Sequence, residues 1–333
     1  MKSKSKKILL LNPPGKKFYM RDYYCSRISK AAYFSHPIDF VILSGILSKD
    51  FDIYILDGIA EKIDEKKALA KICCIKPDFI IFLSGAVSMN NDFPFLKKVK
   101  DLTAALMIGV GDIFLDHGKE ILKNTDFIDA VLLDFTTNDI LAFLKNKDSV
   151  YQNIIFKNGA NIIEKNECHQ TGPFWIPRPR HELFLNDKYV FPFVKHRRFA
   201  TVMTDFGCPF PCSYCVVNRF GYKIREISSV IDELKSLNDM GITEVVFKDQ
   251  TFGAIPQRAR TLCEEINKNE IKISWTCFSR VDLIHEKLLS SMKQAGCHTI
   301  ILGIESVNTE LLSHYDRNID LKLIKNAFAL CQS

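Results

Sequence analysis

The chain has 333 residues, 47% of them apolar and 25% charged, which are ordinary globular values with room for two sizeable cores. Its formal charge of +6 is mild, and four of the lysines behind it crowd into the first seven residues, so it reads as a solvated terminus and not as a nucleic-acid surface. No apolar run approaches the roughly 18 residues of a membrane span, and the stretch after those lysines, residues 8–11, is too short for a signal peptide.

Strand and helix signals alternate over residues 1–150. The apolar run at 8–11 is a strand stopped by Asn12-Pro-Pro-Gly15. A helical pattern covers 37–47, a strand 52–56 ends at Asp57-Gly58, and a helix covers 61–74. A buried-type strand at 79–83 ends in Ser84-Gly85, and a helix at 94–106 places Pro94 in its first turn. The strand at 107–110 closes on Gly111-Asp112, a helix follows at 116–122, and 130–133 with 138–144 makes a fifth strand–helix unit. Five such units predict a doubly wound, Rossmann-like parallel sheet. Ligands on such sheets bind over the carboxyl ends of the strands. That rule singles out Asn12, Ser84, Gly85, Gly109 and Gly111 as candidate cofactor-binding residues.

Residues 151–198 read as a connection. Lys157-Asn-Gly-Ala160 between apolar pieces predicts a hairpin, and Pro173, Pro177, Pro179 and Pro192 predict an extended run. The basic group Lys195-His-Arg-Arg198 is either a solvated edge or a grip on an acidic substrate. Aromatics near the amino terminus (Phe18, Tyr19, Tyr23, Tyr24, Tyr33, Phe34) suit core packing better than a lipid or aromatic pocket.

From 199 to 333 the alternation resumes, with strands at 199–206, 244–248, 273–278 and 299–304 and helices at 229–240, 257–267, 285–295 and 321–330. Four β/α units make the start of a parallel β/α barrel, whose chemistry collects at the carboxyl ends of its strands. Asp249, Arg280 and Glu305 stand at three successive ends.

Of eleven cysteines, Cys25, Cys73, Cys74, Cys168, Cys263, Cys277, Cys297 and Cys331 are scattered, which is no secreted disulfide framework and suits a reducing, cytoplasmic compartment. Cys208, Cys212 and Cys215 are different: Gly207-Cys-Pro-Phe-Pro-Cys-Ser-Tyr-Cys215 has the spacing C-x3-C-x2-C. Three thiolates on one loop hold three corners of a cubane iron–sulfur cluster and leave one iron open, whereas electron-transfer clusters close all four. Zinc asks for four ligands, usually from paired knuckles, and the chain has no second knuckle.

At these residues the chain resembles the radical S-adenosylmethionine superfamily, with Tyr214 in the aromatic position before the third cysteine. The resemblance implies a 4Fe–4S cluster on Cys208, Cys212 and Cys215. Its open iron would bind S-adenosylmethionine, and its electron would release a 5′-deoxyadenosyl radical. Phe247-Lys-Asp-Gln-Thr-Phe252 and Gly303-Ile-Glu-Ser306 are similar to family strand-end motifs, with Gln250 replacing an acid. They place Tyr214, Asp249, Arg280 and Glu305 around S-adenosylmethionine.

The opening ILLLNPPG and the Rossmann-like part before the barrel look like the cobalamin-binding subclass. The D-x-H-x-x-G motif is absent (Asp116-His117-Gly118 has the wrong spacing), so cobalamin is expected without a histidine on cobalt. The resemblance divides the chain into a cobalamin-type domain (1–150), a hairpin and proline-rich linker (151–198) and a partial TIM-like barrel (199–333). Only about four of the family's usual six β/α units are visible. An open sheet edge of this kind implies poor solubility or a partner that completes it.

The implied activity is cobalamin-dependent methyl transfer to an unactivated carbon. The alternatives are radical cyclisation, rearrangement or carbon–carbon coupling, or a truncated cluster-binding chain without turnover. A small-molecule or lipid-like substrate and a reductant such as flavodoxin or ferredoxin are the implied partners.

Overall fold

The computed structural model of the chain describes residues 5–31, 33–146, 149–165, 171–184, 186–317 and 319–332; Lys2, Lys4 and Cys168 lie outside them. It has an α/β fold in two compact units, Met1–Cys168 with Ile176–Val190, and His169–Trp175 with Phe191–Ser333.

The first unit contains β1 (Lys7–Asn12), a small hairpin of β2 (Tyr19–Met20) and β3 (Arg27–Ile28), α1 (Ile38–Leu47), β4 (Asp52–Asp57), α2 (Glu65–Ile75), β5 (Phe79–Leu83), α3 (Met89–Leu102), β6 (Leu106–Val110), α4 (Asp112–Asn124), β7 (Ala130–Leu132), α5 (Asp139–Lys145), β8 (Ile154–Asn158) and β9 (Asn161–Ile163). Its seven-stranded sheet runs β4-β1-β5-β6-β7-β8-β9. The first five strands are parallel, and β8 and β9 are antiparallel additions. Residues two apart along the strands share a face. Thus Leu9, Leu11, Ile80, Phe82 and Met107 bury one face against Ala68 and Ile72 of α2, Phe95 and Val99 of α3 and Phe114 of α4.

Several boundaries differ from the sequence-based expectation, each for a local reason. α2 begins at Glu65, not 61, because Asp57 Oδ1 accepts from the backbone N–H groups of Ile59 and Ala60 and Asp64 caps the helix through Lys67 N at 2.8 Å. α3 begins at Met89, so Pro94 is a sixth helical residue and not a first-turn one. The backbone N–H groups of Ser88 and Met89 bond to Gly85 O and start the helix directly after β5.

The hairpin expected in the connection pairs through β8 with β7 and extends the first sheet. Residues 176–190, expected to run extended, pack back on α1 instead. Gly45 permits this: a Cβ there would lie 2.5 Å from Pro177 O. All ten residues of α1 are buried. Most of the early aromatics serve packing, with the Phe34 ring 5.5 Å from Phe18 and 5.3 Å from Tyr189, and Tyr23 edge-on to Phe135, while Tyr33 is exposed.

The second unit contains β10 (Gly172–Phe174), β11 (Ala200–Val202), β12 (Asp205–Gly207), β13 (Tyr222–Arg225), α6 (Ile227–Asp239), β14 (Glu244–Phe247), α7 (Pro256–Lys268), β15 (Ser274–Arg280), α8 (Glu286–Gln294), β16 (Cys297–Gly303), α9 (Thr309–His314) and α10 (Leu321–Gln332). β11-β14-β15-β16 form a four-stranded parallel sheet with β16 at its edge. Its core centres on Trp275, whose Nε1 donates to Ala295 O at 2.7 Å and whose ring meets Phe247 edge-on at 5.0 Å.

The single strand expected at 199–206 is two. Asp249 Oδ1 accepts from Thr204 N at 2.6 Å and Asp205 N at 3.0 Å, and its Oδ2 accepts from Thr204 Oγ1 at 2.5 Å. The chain bends there, and β12 leaves the parallel sheet to pair antiparallel with β13.

Candidate functional site

The cysteine loop starts from β12. Gly207 has φ +79°, and a Cβ on it would lie 2.0 Å from Gly221 O, so only glycine fits this turn. Cys208 follows with its Sγ 3.5 Å from Thr251 Oγ1. Cys212 is buried, and Cys215 N donates to Cys212 O at 3.0 Å, closing the loop into a short 3-10 turn, Val216–Phe220. Burial pushes the Cys215 thiol up, and the neighbouring Cys208, Cys212 and Glu305 add to the shift. Among the described residues, no three His, Cys, Asp or Glu side chains are grouped to hold a single metal ion.

Arg280, at the end of β15, donates from Nη1 to Cys212 Sγ at 3.3 Å and forks Asp282 through Nε and Nη2 at 2.9 and 2.8 Å. Its guanidinium lies 4.1 Å over the Phe210 ring. One edge of the guanidinium is therefore closed on Asp282, and the other serves the cysteine loop.

Glu305, after β16, has φ +68°, a conformation that costs a non-glycine residue roughly 1–2 kcal/mol. Arg317 holds it there. Arg317 Nη1 donates to Glu305 Oε1 at 3.2 Å and to Tyr214 Oη at 2.9 Å, and Nη2 donates to Gly303 O at 2.7 Å. Tyr214 is half-exposed, and its hydroxyl is pushed up to about 12 by desolvation, with Glu305 and Cys212 adding and Arg317 opposing.

The strand-end residues therefore divide. Arg280, Glu305 and Tyr214 gather with the cysteines. Asp249 stands apart: its carboxylate is buried, accepts three hydrogen bonds from Thr204 and Asp205, and clamps the base of the loop. Thr251 and Arg317 were not singled out in the sequence. Thr251 stood inside the strand-end motif, but Arg317 lies in a stretch without pattern, twelve residues past Glu305. The basic group at 195–198 is exposed, as a solvated edge would be.

At the carboxyl end of the first unit's sheet, the five glycine, serine and asparagine candidates meet the chain itself. Asn12 Nδ2 donates to Asp57 Oδ1, and its Oδ1 accepts from Arg21 Nη1 at 2.7 Å. Ser84 Oγ donates to Asp92 Oδ2 at 2.9 Å, and Arg21 pairs with the same buried Asp92. A Cβ on Gly85 would strike Ser26 Oγ at 2.5 Å, one on Gly109 the Phe114 ring at 2.5 Å, and one on Gly111 Ser84 O at 2.0 Å. These glycines are required by internal packing. A cavity of about 570 Å³ opens nearby, between residues 14–16 and the starts of α2 and α3, and none of the five lines it.

Comparison with known proteins bears on this geometry. Residues 204–333 match the family model of the Radical SAM superfamily. The chain is 28% identical over 298 residues to an uncharacterized methyltransferase of Pyrococcus horikoshii, covering 85% of this chain and 63% of the relative. It is 23% identical over 301 residues to an anaerobic magnesium-protoporphyrin IX monomethyl ester cyclase of Rubrivivax gelatinosus, covering 84% and 53%. The chain therefore spans between half and two-thirds of the length of these curated relatives.

Among solved structures it shares its fold with the radical S-adenosylmethionine methyltransferase TsrM from Kitasatospora setae with cobalamin and a 4Fe–4S cluster bound (TM-score 0.74, 18% identity, 99% of this chain and 67% of that one). It also shares its fold with the cobalamin-dependent radical enzyme OxsB with aqua-cobalamin and S-adenosylmethionine bound (TM-score 0.72, 15% identity, 98% and 48%). The cysteine loop, the strand ends around it and the family match coincide, and residues 204–333 of this chain are a radical SAM superfamily domain.

Proposed function

We propose that this chain is the cluster-bearing part of a radical S-adenosylmethionine enzyme, and the observation that carries the reading is the C-x3-C-x2-C loop held against two strand ends, by Arg280 on Cys212 Sγ and by Arg317 shared between Tyr214 and Glu305. The donor set fits a 4Fe–4S cluster: three cysteines on one loop, none in a disulfide, with a guanidinium and a hydroxyl already turned toward two of the sulfurs. When bound, the cluster supplies the electron that cleaves the sulfonium of S-adenosylmethionine to a 5′-deoxyadenosyl radical.

The rest is the work of this chain's residues. Cys208, Cys212 and Cys215 would hold three irons of the cluster. Arg280 and Thr251 donate to two of the sulfurs and offset their negative charge. Glu305 presents a carboxylate for the ammonium or sulfonium of the methionyl end, and Tyr214 walls that side of the loop. On this reading the second unit is the first part of a TIM-like β/α barrel, and the first unit is a Rossmann-like doubly wound sheet of the flavodoxin strand order.

Methyl transfer is the favoured outcome, since one relative is a methyltransferase by name and TsrM is a methyltransferase with cobalamin bound. The cyclase relatives favour a second outcome, ring closure by the same radical. Cobalamin rests on likeness of fold. Of the five candidates, the side chains of Asn12 and Ser84 are bonded within the chain, and Gly85, Gly109 and Gly111 would meet it through backbone atoms. The substrate is a small or lipid-like molecule, the electron donor a flavodoxin- or ferredoxin-class protein, and the compartment a reducing cytoplasm. Among the described residues no helix is long and apolar enough to cross a membrane.

Anaerobic reconstitution with iron and sulfide, followed by spin-resonance spectra of the reduced protein with and without S-adenosylmethionine, tests the reading. A cluster signal that shifts on adding the ligand is expected. A signal indifferent to it contradicts the open-iron assignment.

A further inference from the structure

The segment that follows α9 reaches back to the cysteine loop through four separate contacts. Ser213 N donates to Tyr315 O and Ser213 Oγ to His314 O, both at 3.2 Å. The Tyr315 ring meets Tyr214 edge-on at 5.1 Å. Arg317 closes the set, with its guanidinium shared between Tyr214 Oη, Glu305 Oε1 and Gly303 O. Its side chain is 5% exposed, while that of Glu305 is 38% exposed. The cation is therefore anchored in protein, and the carboxylate that it holds is presented outward. Glu305 also has a left-handed backbone, as does Asp316 beside Arg317, and strained residues of this kind persist where their surroundings over-determine them. A buried guanidinium gripping both the carboxylate and the carbonyl two residues before it does so here.

We propose that Arg317 is the positioning residue of the S-adenosylmethionine site: it locks the Glu305 carboxylate and the Tyr214 ring into one fixed frame, with His314 and Tyr315 bracing the loop beneath. Arg317 acts through these two residues and touches neither cluster nor ligand. The proposal rests on the radical S-adenosylmethionine reading and goes beyond it, since it assigns the preorganisation of the ligand site to a residue outside every motif of the sequence. Freed of Arg317, Glu305 can relax to an ordinary backbone conformation and carry its carboxylate away from the loop. The three thiols should stay in place, because Thr251 meets Cys208 Sγ, Arg280 meets Cys212 Sγ and Cys215 N bonds to Cys212 O.

The test uses the reconstituted full chain with S-adenosylmethionine as the probe. Arg317→Ala is expected to keep the parent's iron content and to bind S-adenosylmethionine about tenfold or more weakly, the loss that goes with one charge-assisted bond. It should also alter the ligand-induced shift of the reduced cluster's spin-resonance spectrum. Arg317→Lys, which keeps the charge but not the fork, should recover part of both. Tyr214→Phe removes one bond and leaves the guanidinium in place, so it should reproduce the spectral change in weaker form. A parent that binds no S-adenosylmethionine would sink the underlying reading. A parent that binds, with Arg317→Ala binding as tightly and giving the same spectrum, overturns the role of Arg317 alone. Loss of the cluster in Arg317→Ala together with parent-like behaviour of Tyr214→Phe also overturns it, because Arg317 would then serve only folding.

Discussion

Arg280 sets Nη1 3.3 Å from Cys212 Sγ while Asp282 grips the opposite edge of the same guanidinium at 2.8 and 2.9 Å. Asp282 orients the group, and the group delivers a positive charge and a hydrogen bond to a proposed cluster ligand. Both stabilise the more negative, reduced cluster, since hydrogen bonds to sulfur and local charge set cluster potentials. Arg280→Ala should lower the reduction potential by tens of millivolts, on a scale where ~59 mV per electron is a tenfold change. Asp282→Asn, which removes a neighbouring negative charge and keeps one acceptor for the guanidinium, should shift it upward by less. A redox titration followed by spin resonance reads both, and an unchanged potential in Arg280→Ala would remove the arginine from the site.

Cys208, Cys212 and Cys215 should each be required for iron. Single alanine variants are expected to retain little of the parent's iron, and the triple variant none. Cys263→Ser and Cys277→Ser, which alter cysteines buried in the core, should assemble a normal cluster. Iron and sulfide analysis after anaerobic desalting checks this. Normal loading of the triple variant would displace the cluster to other ligands.

Gly207 allows β12 to turn into the cysteine loop, with φ +79° and Gly221 O at 2.0 Å from a built Cβ. Gly207→Ala should therefore lower stability by about 2 kcal/mol or more, the combined cost of backbone strain and a backbone clash. Iron loading should fall with it. Gly241→Ala, where nothing lies within 4 Å of the Cβ, bears the strain of positive φ alone and should load normally. Chemical denaturation and iron content separate the two cases.

Asp249 provides a pH test of the clamp. Burial pushes its carboxyl up to about 7, and Asp205 adds to the shift. An acid whose folded pKa lies above its unfolded value of about 3.9 keeps its proton longer in the folded state. Its contribution to stability is then fullest below about pH 4 and declines as pH rises through about 7. Asp249→Asn keeps an acceptor for Thr204 N and Asp205 N and offers a donor to Thr204 Oγ1, but cannot ionise. The parent should thus lose stability between pH 5 and 8 more steeply than Asp249→Asn, by on the order of a few kcal/mol. Thermal unfolding of both proteins at the two pH values measures this. Parallel profiles would show that the carboxylate is not strained by its burial.

The elements with strong local pattern were legible in the sequence. β5 and β6 read as continuous apolar runs, α6, α7 and α8 as periodic helices closed by glycine or a polar cap, and the cysteine loop by its spacing alone. What escaped was decided by contacts distant in sequence. Asp249 breaks the strand at 204–205 across 45 residues, and a propensity reading of 199–206 contains nothing of that bond. Residues 176–190 return to α1 because Gly45 leaves room for their backbone, which no pattern in the proline-rich stretch announces. Arg317 carries no local signal and gains its role only when α9 brings it to Tyr214. Asp249 and the five candidates at the first sheet's end were placed correctly at strand termini. The sequence could not show that neighbouring chain segments already use them.

The most direct measurement is of S-adenosylmethionine cleavage by the reconstituted chain. With a low-potential reductant such as dithionite under strict anaerobiosis, 5′-deoxyadenosine should accumulate and be absent from the Cys208→Ala, Cys212→Ala and Cys215→Ala variants. A chain loaded with about four irons that yields no 5′-deoxyadenosine in the presence of reductant and S-adenosylmethionine would contradict the account.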